Sequence, residues 1–211
     1  MVEIVDLNDC RLSRKNGMYG GAAGNKDGIV YNDENWLVKY PKNIIGLERT
    51  GDASYSTSPL SEYIGSHIYD ILGYDVHRTV LGIRNGKVVV ACKDFAIEDD
   101  LIEIRTIKNH ANEKLAELLE HNFSSTGSEH AVNLEELLLH LKNNPILINV
   151  PGIVERFWEQ AVIDMLINNN DRNNGNWGIL RDKDGIDRLA PIFDNGEVFK
   201  RKFQKKKSEI Y

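Results

Sequence analysis

Cysteine is scarce in this chain, with Cys10 and Cys92 the two among 211 residues. They have no metal-ligand spacing, which argues against a disulfide scaffold, and so few thiols fit a reducing compartment. No apolar run approaches the ~18 residues that a bilayer-spanning helix needs. No N-terminal stretch joins a basic head to an apolar segment, so neither a secretion signal nor an anchor is expected. The expectation is therefore a cytoplasmic protein without a membrane partner. Internal repeats, sustained heptads and Cys/His clusters are also missing. The six histidines are scattered, and His67, His110 and His140 read as surface or helix-face residues, not as catalytic bases. Basic charge is short as well: the net charge is −6, and residues 200–211 hold six Lys/Arg and one Glu, leaving 20 basic against 31 acidic residues upstream. Nucleic acid is thus an unfavourable partner for the body, and Lys200 to Lys207 reads as a solvated chain end or as a nucleic-acid or localisation patch.

What is present suits a soluble globular chain, with 41% hydrophobic and 27% charged residues, enough for one large domain or two small lobes. Val2 to Leu7 alternates like a strand. Gly20-Gly21-Ala22-Ala23-Gly24-Asn25-Lys26 is a loop of very small residues; it is no Walker A sequence, and either a phosphate-covering loop or an ordinary hairpin connection fits it. Gly28 to Tyr31 and Trp36 to Tyr40 read as strands, with Trp36, Val38 and Tyr40 on one face and Leu37 and Lys39 on the other. Lys39 is then either a cleft-facing cation or a snorkelling edge lysine. The polar stretch Thr50 to Ser58 offers hydroxyls, and a helix from Pro59 to Gly73 follows, with Ile64, Ile68, Ile71 and Leu72 as its apolar stripe and Glu62 in its first turn. Val80 to Arg84 and Lys87 to Cys92 form a hairpin about Asn85-Gly86. The periodicity then becomes helical, over Glu113 to Asn122, Leu134 to Leu141 and Val154 to Ile167. In the last of these, positions 154, 157, 158, 161, 162, 165 and 166 form the face expected to be buried. The change of period places a boundary between residues 1–96, a five-stranded antiparallel sheet with one helix, and residues 97–211, mostly helix.

The chemistry concentrates after that last helix, in Asn168-Asn169-Asn170-Asp171-Arg172-Asn173-Asn174-Gly175-Asn176-Trp177. Poor helix formers end the helix and place an acid and an amide at the mouth of a core. Asp171 and Asn176 have the spacing at which a kinase loop carries its base and its metal-holding amide, although Asp27/Asn32 and Asp164/Asn169 repeat that spacing. A second acid, Asp194, ends the apolar run Leu189 to Phe193. The strands 177–180 and 188–193 are expected to pair about Asp182 to Gly185, and so to bring Asp171, Asn176 and Asp194 to one point. Each acid also reads as an ordinary turn residue beside a hairpin.

Taken in order, the small-residue loop to Lys26, Lys39, Ser61-Glu62-Tyr63, Lys93-Asp94-Phe95, Asn170 to Trp177 and Phe193-Asp194-Asn195 resemble the motifs of HipA-like protein kinases, especially the small CtkA-type members. The Asp-Arg-x4-Asn loop is also similar to that of phosphatidylinositol-kinase-like enzymes. The resemblance runs across nearly all of the chain. It implies an α+β, two-lobed protein-kinase-like fold, ATP and Mg²⁺ as cofactors, and transfer of the γ-phosphate to a serine or threonine of a protein substrate. It also implies a bacterial, toxin-like setting with an antitoxin-like inhibitory partner. The implied roles are Gly20, Gly21, Ala22, Ala23, Gly24 and Lys26 over the phosphates, Lys39 on the α- and β-phosphates and Glu62 on Lys39. The backbone of Lys93 and Phe95 is assigned to adenine, Asp171 acts as base, and Asn176 and Asp194 hold the metal. Lys39→Met should weaken phosphate binding and spare the fold. Three departures stand out: Asn173 where such loops carry His, no serine in the small-residue loop, and seventeen residues after Asp194 where relatives continue into further helices. A shortened second lobe is the corresponding expectation. Two other classes stay open, a nucleotide-binding pseudokinase that acts as an interaction module and an unrelated α+β adaptor.

Overall fold

A computed structural model describes residues 3–18, 26–41, 58–125 and 132–198. Its first sheet has five strands in the order β1-β4-β5-β3-β2, built from β1 (Ile4–Asp6), β2 (Lys26–Tyr31), β3 (Glu34–Lys39), β4 (Thr79–Arg84) and β5 (Lys87–Lys93). Both hairpins turn on two residues of positive φ, Asn32 (51°) with Asp33 (62°) and Asn85 (52°) with Gly86 (69°). Such turns match the right-handed twist of the strands they join. The sheet is not wholly antiparallel as expected, because β1 lies parallel to β4 with Ile4 opposite Leu81. Gly82 admits the chain there: a Cβ on it would lie 2.6 Å from the Leu7 side chain. Arg84 then fixes the segment after β1 by donating to the carbonyls of Leu7, Asn8 and Cys10. Leu7, Ile29, Trp36, Val38, Val89 and Ala91 form the core on one face.

Helix α1 (Ser58–Ile71) packs on β4 and β5. A second sheet, in the order β6-β7-β8, joins β6 (Asp100–Glu103) to β7 (Gly178–Arg181) and β8 (Asp187–Leu189). Strand β6 was not foreseen in a half read as mostly helical; Leu101 pairs with Leu180 across it. Helices α2 (Ile104–Leu119), α3 (Leu134–Asn143) and α4 (Ile153–Leu166) complete this part, and α2 starts nine residues before the helix expected from Glu113. Ile104, Ile107, Leu137, Leu141, Leu147, Ile153, Trp177 and Ile179 share its core. Inside it Lys108 donates to Glu136 at 2.8 Å and Asn112 bonds His140 at 3.0 Å. His140 is therefore fully buried and not a surface residue, and burial together with the Lys108 charge lowers its pKa to about 4. Among the described residues no helix is long and apolar enough to cross a membrane.

Two helices face opposite to their apolar stripes. On α1 the buried residues are Pro59, Ser61, Glu62, Gly65, Ser66 and Tyr69, whereas Ile64, Ile71 and Leu72 are exposed. Glu62 sits one turn inside the helix, which starts at Ser58, and not in its first turn. On α4 the buried residues are Ile153, Gln160, Ile163 and Asp164, and Val154, Trp158, Val162, Met165 and Leu166 of the expected face are exposed. The physical reason is the same in both: the polar faces are claimed by hydrogen-bond partners that hold the loops of the cleft. Tyr69 of α1, for example, donates to Asp164 of α4 at 2.9 Å.

Gly65 makes this packing possible, since an added Cβ would lie 2.7 Å from Val198 Cγ2 and 2.9 Å from Asn195 Cβ. Alanine gains roughly 0.5–1 kcal/mol over glycine inside a strand or helix, but overpacking costs about 1–3 kcal/mol. Gly65→Ala is therefore expected to lower stability by about 1–2 kcal/mol, read from the urea midpoint. A stabilised variant would contradict the close approach.

Candidate active site

The alternation of β3 turns Lys39 away from the Trp36 and Val38 core, towards α1 and the segment after β8. Its ammonium donates to Glu62 Oε2 at 2.8 Å and to Asp194 Oδ1 at 2.9 Å. Glu62 is 1% exposed. Burial would raise the Glu62 carboxyl, but the Lys39 charge and a hydrogen bond with His77 outweigh it and hold the group well below the usual carboxylate range. Burial would likewise strip Lys39 of its proton, yet Asp194 and Glu62 keep it well above the ordinary lysine value. The Lys39 charge, working against burial, lowers Asp194. The three groups form a charged triad that needs each member's charge.

The rest of the site is strung from Glu62 and from Arg172. Glu62 Oε1 accepts the Asn195 N–H at 2.8 Å and lies 3.1 Å from His77 Nε2. Asn195 donates its amide to Ser66 Oγ at 3.1 Å and accepts from Arg172 at 2.6 Å. Arg172 also donates to Asp164 at 2.8 Å, to the Phe193 carbonyl at 2.6 Å and to the Asn176 carbonyl at 2.7 Å. One guanidinium thus joins the Asp171–Asn176 loop, the Asp194 turn and α4. The two Asp164 oxygens are filled by Arg172, Tyr69 and Asn169. Asp194 itself has a φ of 60°, a left-handed conformation that a non-glycine residue keeps only when its surroundings hold it. The main-chain bonds His77 N–H to Ile192 O (3.0 Å) and Ile192 N–H to Asp75 O (2.8 Å) fix the strand end that precedes it.

These elements surround a cleft of about 760 Å³, a volume usual for small-molecule sites. Lys26, Lys39, Lys93, Phe95, Asn176 and Asp194 line it, among the residues named from the sequence. Lys26 lies opposite Lys39 in the β2–β3 register, and burial and the Lys39 charge lower its pKa. Phe95 stacks at 5.6 Å on Phe193. Lys93 is still within β5: its N–H donates to the Arg78 carbonyl at 2.8 Å, so that donor is not open to a base, and its side chain reaches Glu34 at 2.6 Å. Asn176 donates its amide to the Asp171 carbonyl at 2.7 Å, which leaves the amide oxygen as its ligating end. Asp171 is exposed and is not among the cleft-lining residues, whereas Asn176 and Asp194 both are. The Lys39 charge lowers Asp194 and outweighs the opposing charge of Glu62, so the repulsion expected between clustered acids is compensated here. Gly20, Gly21, Ala22, Ala23 and Gly24 lie outside the described residues, as do the Thr50 to Thr57 stretch and the basic tail.

Sequence reasoning missed four participants. Lys15 donates to Asp94 at 2.7 Å and to the Ala96 carbonyl at 3.0 Å, tying the N-terminal segment to the exit from β5. Arg172, Asn195 and His77 were passed over as well. Arg172 was visible within the loop motif, but nothing in the chain order says that it would meet Asp164 and Phe193. The Asp194 carboxylate and the Asn176 amide oxygen, both lining the cleft, are hard donors of the kind a divalent cation such as Mg²⁺ takes.

The geometry alters one expectation. Lys39→Met cannot spare the fold, because it leaves the buried Glu62 carboxylate with only His77 and a backbone N–H. It should cost about 3–5 kcal/mol in unfolding free energy, and Lys39→Met with Glu62→Gln should cost less than Lys39→Met alone. Urea unfolding of the two variants checks this; a double variant less stable than the single one would contradict a charge-compensated pair.

No family model matches the chain. It is 36% identical over 195 residues to the serine/threonine-protein kinase CtkA of Helicobacter pylori, a match that covers 91% of this chain and 55% of that protein. A crystal structure of the Helicobacter pylori proinflammatory kinase CtkA superposes with a TM-score of 0.73 at 34% identity, covering 93% of this chain and 61% of the other. The chain thus spans little more than half the length of the curated relative it matches. Sequence and architecture agree that this chain is similar to the serine/threonine-protein kinase CtkA and has the kinase-like fold of that protein over the part the two share.

Proposed function

We propose that the chain is an ATP-dependent serine/threonine protein kinase, with residues 1–96 as its N-lobe and 97–211 as its C-lobe. The observation that supports this reading best is the Lys39 ammonium held between Glu62 and Asp194 at the wall of the cleft. Phosphoryl transfer asks a protein mainly for positioning and charge neutralisation. In this reading Lys39, kept charged by Glu62, meets the α- and β-phosphates, and Lys26 and the small residues Gly20 to Gly24 lie over the phosphates. Adenine occupies the end of the cleft near Phe95, with the backbone of Phe95 and Lys93 beside it. Asn176 and Asp194 would hold Mg²⁺, which when bound supplies positive charge against the β- and γ-phosphate oxygens. Asp171 accepts the proton of a serine or threonine hydroxyl while its oxygen bonds to the γ-phosphorus, the bond from that phosphorus to the β–γ bridging oxygen breaks, and ADP leaves.

The exposed position of Asp171 supports a second reading, a nucleotide-binding module that does not transfer phosphate. The protein substrate, a reducing cytoplasmic setting and an antitoxin-like inhibitory partner belong to this proposal through the likeness to CtkA-type kinases.

ATP with Mg²⁺ at a hundredfold excess over Kd should stabilise the fold by about 2.7 kcal/mol, a rise in Tm of roughly 5–10 °C. Chelation should abolish most of that rise. Asp171→Asn should keep the shift and lose transfer of labelled γ-phosphate to protein, whereas Asp194→Asn should lose the metal-dependent part of the shift. A shift without any transfer in the unaltered chain selects the second reading, and no shift at all overturns both.

A further inference from the structure

Behind Lys39 lies a group of side chains that the proposed transfer does not use in full. Glu62 of α1, His77 just ahead of β4 and Cys92 of β5 each offer a ligand atom, and the three atoms lie within 4.8 Å of one another. All three residues are buried, at 1%, 5% and 3% exposure. They nonetheless have an entry path, because His77 and Cys92 line the same cleft as Lys39. A carboxylate, an imidazole and a thiol make a mixed oxygen, nitrogen and sulfur set. That set suits zinc and similar borderline-soft ions, whereas Mg²⁺ takes oxygen alone. With bonds of about 2.0–2.3 Å the ligand atoms of a tetrahedral zinc stand roughly 3.3–3.8 Å apart, so the group closes on an ion with small side-chain movements.

We propose that Glu62, His77 and Cys92 form a binding site for a borderline-soft divalent cation such as Zn²⁺, and that its occupation draws Glu62 away from Lys39 and closes the nucleotide site. The site is chemically distinct from Asn176 and Asp194, which present oxygen donors only. Burial raises the pKa of the Cys92 thiol, so at rest it holds its proton. On binding, the thiol gives that proton to solvent and the thiolate bonds to the metal. Glu62 now holds Lys39 through Oε2 and His77 through Oε1. A dication on the carboxylate sets two cations in competition for one anion, and the Lys39 ammonium, which already touches Asp194, is the one free to swing away. The consequence for nucleotide rests on the function proposed above; the metal site itself does not.

Cobalt(II) serves as the spectroscopic probe, on the whole chain carrying Cys10→Ser so that Cys92 is the sole thiol. The expected result is stoichiometric uptake with a thiolate-to-cobalt charge-transfer band that Zn²⁺ bleaches. The band should vanish in the chain that also carries Cys92→Ala and weaken in the one that also carries His77→Gln. Because the first titration leaves the site unaltered, it decides the matter even where Cys92→Ala fails to fold. No band in the Cys10→Ser chain overturns the site. In a second arm, stoichiometric Zn²⁺ should abolish binding of a fluorescent ATP analogue to the Cys10→Ser chain and leave binding to the Cys92→Ala chain unaffected. A cobalt band with nucleotide binding unchanged by Zn²⁺ overturns the regulatory half. Absence of nucleotide binding without any zinc refutes the kinase reading alone, and the cobalt result still stands or falls by itself.

Discussion

The structure depends on keeping one carboxylate ionised in the interior. Withdrawing a carboxylate from water costs several kcal/mol even after relaxation, and Glu62 recovers that cost from the Lys39 ammonium, the Asn195 N–H and His77. Each partner belongs to a different part of the chain: β3, the turn after β8 and the approach to β4. Satisfying Glu62 therefore positions three segments at once, and the site is a consequence of burying that group.

Arg172 plays the complementary part in the second half. Its charge is balanced by Asp164, and its remaining donors fall on the carbonyls of Asn176 and Phe193 and on the Asn195 amide. Asn195 is where the two networks meet, since it touches both Glu62 and Arg172. The left-handed Asp194 next to it is held on both sides by these anchors, which places its carboxylate towards Lys39 and the cleft. A metal taken up by Asp194 and Asn176 would relieve Lys39 of one of its two acids and free its charge for phosphate.

What was legible in the sequence is local. Strand alternation told Lys39 from the core residues Trp36 and Val38, and Asn85-Gly86 marked its hairpin, because both are set by two or three neighbouring residues. The hairpin about Asp182 to Gly185 was legible for the same reason, and it brings Asn176 and Asp194 onto one cleft. The faces of α1 and α4 were not legible. Most of their apolar stripes are exposed, and Glu62, Ser66 and Asp164 are buried instead because their partners come from as far away as Asn195. Amphipathic reasoning assumes that apolar residues choose the face, and it fails where a buried hydrogen-bond network chooses instead. The parallel strand β1 and strand β6 were missed through long-range pairing, with Leu81 and Leu180 respectively, that no local pattern encodes. That Asp171 is exposed and outside the cleft lining was equally invisible, since spacing to Asn176 fixes the loop length but not which of its residues line the cleft.

A crystal structure of the chain with Mg²⁺ and a non-hydrolysable ATP analogue tests the central claim most directly. The account predicts phosphate on Lys39 with the Lys39–Glu62 pair retained, metal on Asp194 and Asn176, and the Lys39–Asp194 contact broken. Nucleotide bound elsewhere, or bound in the cleft with Lys39 still paired to Asp194 and the metal held by other residues, would contradict it.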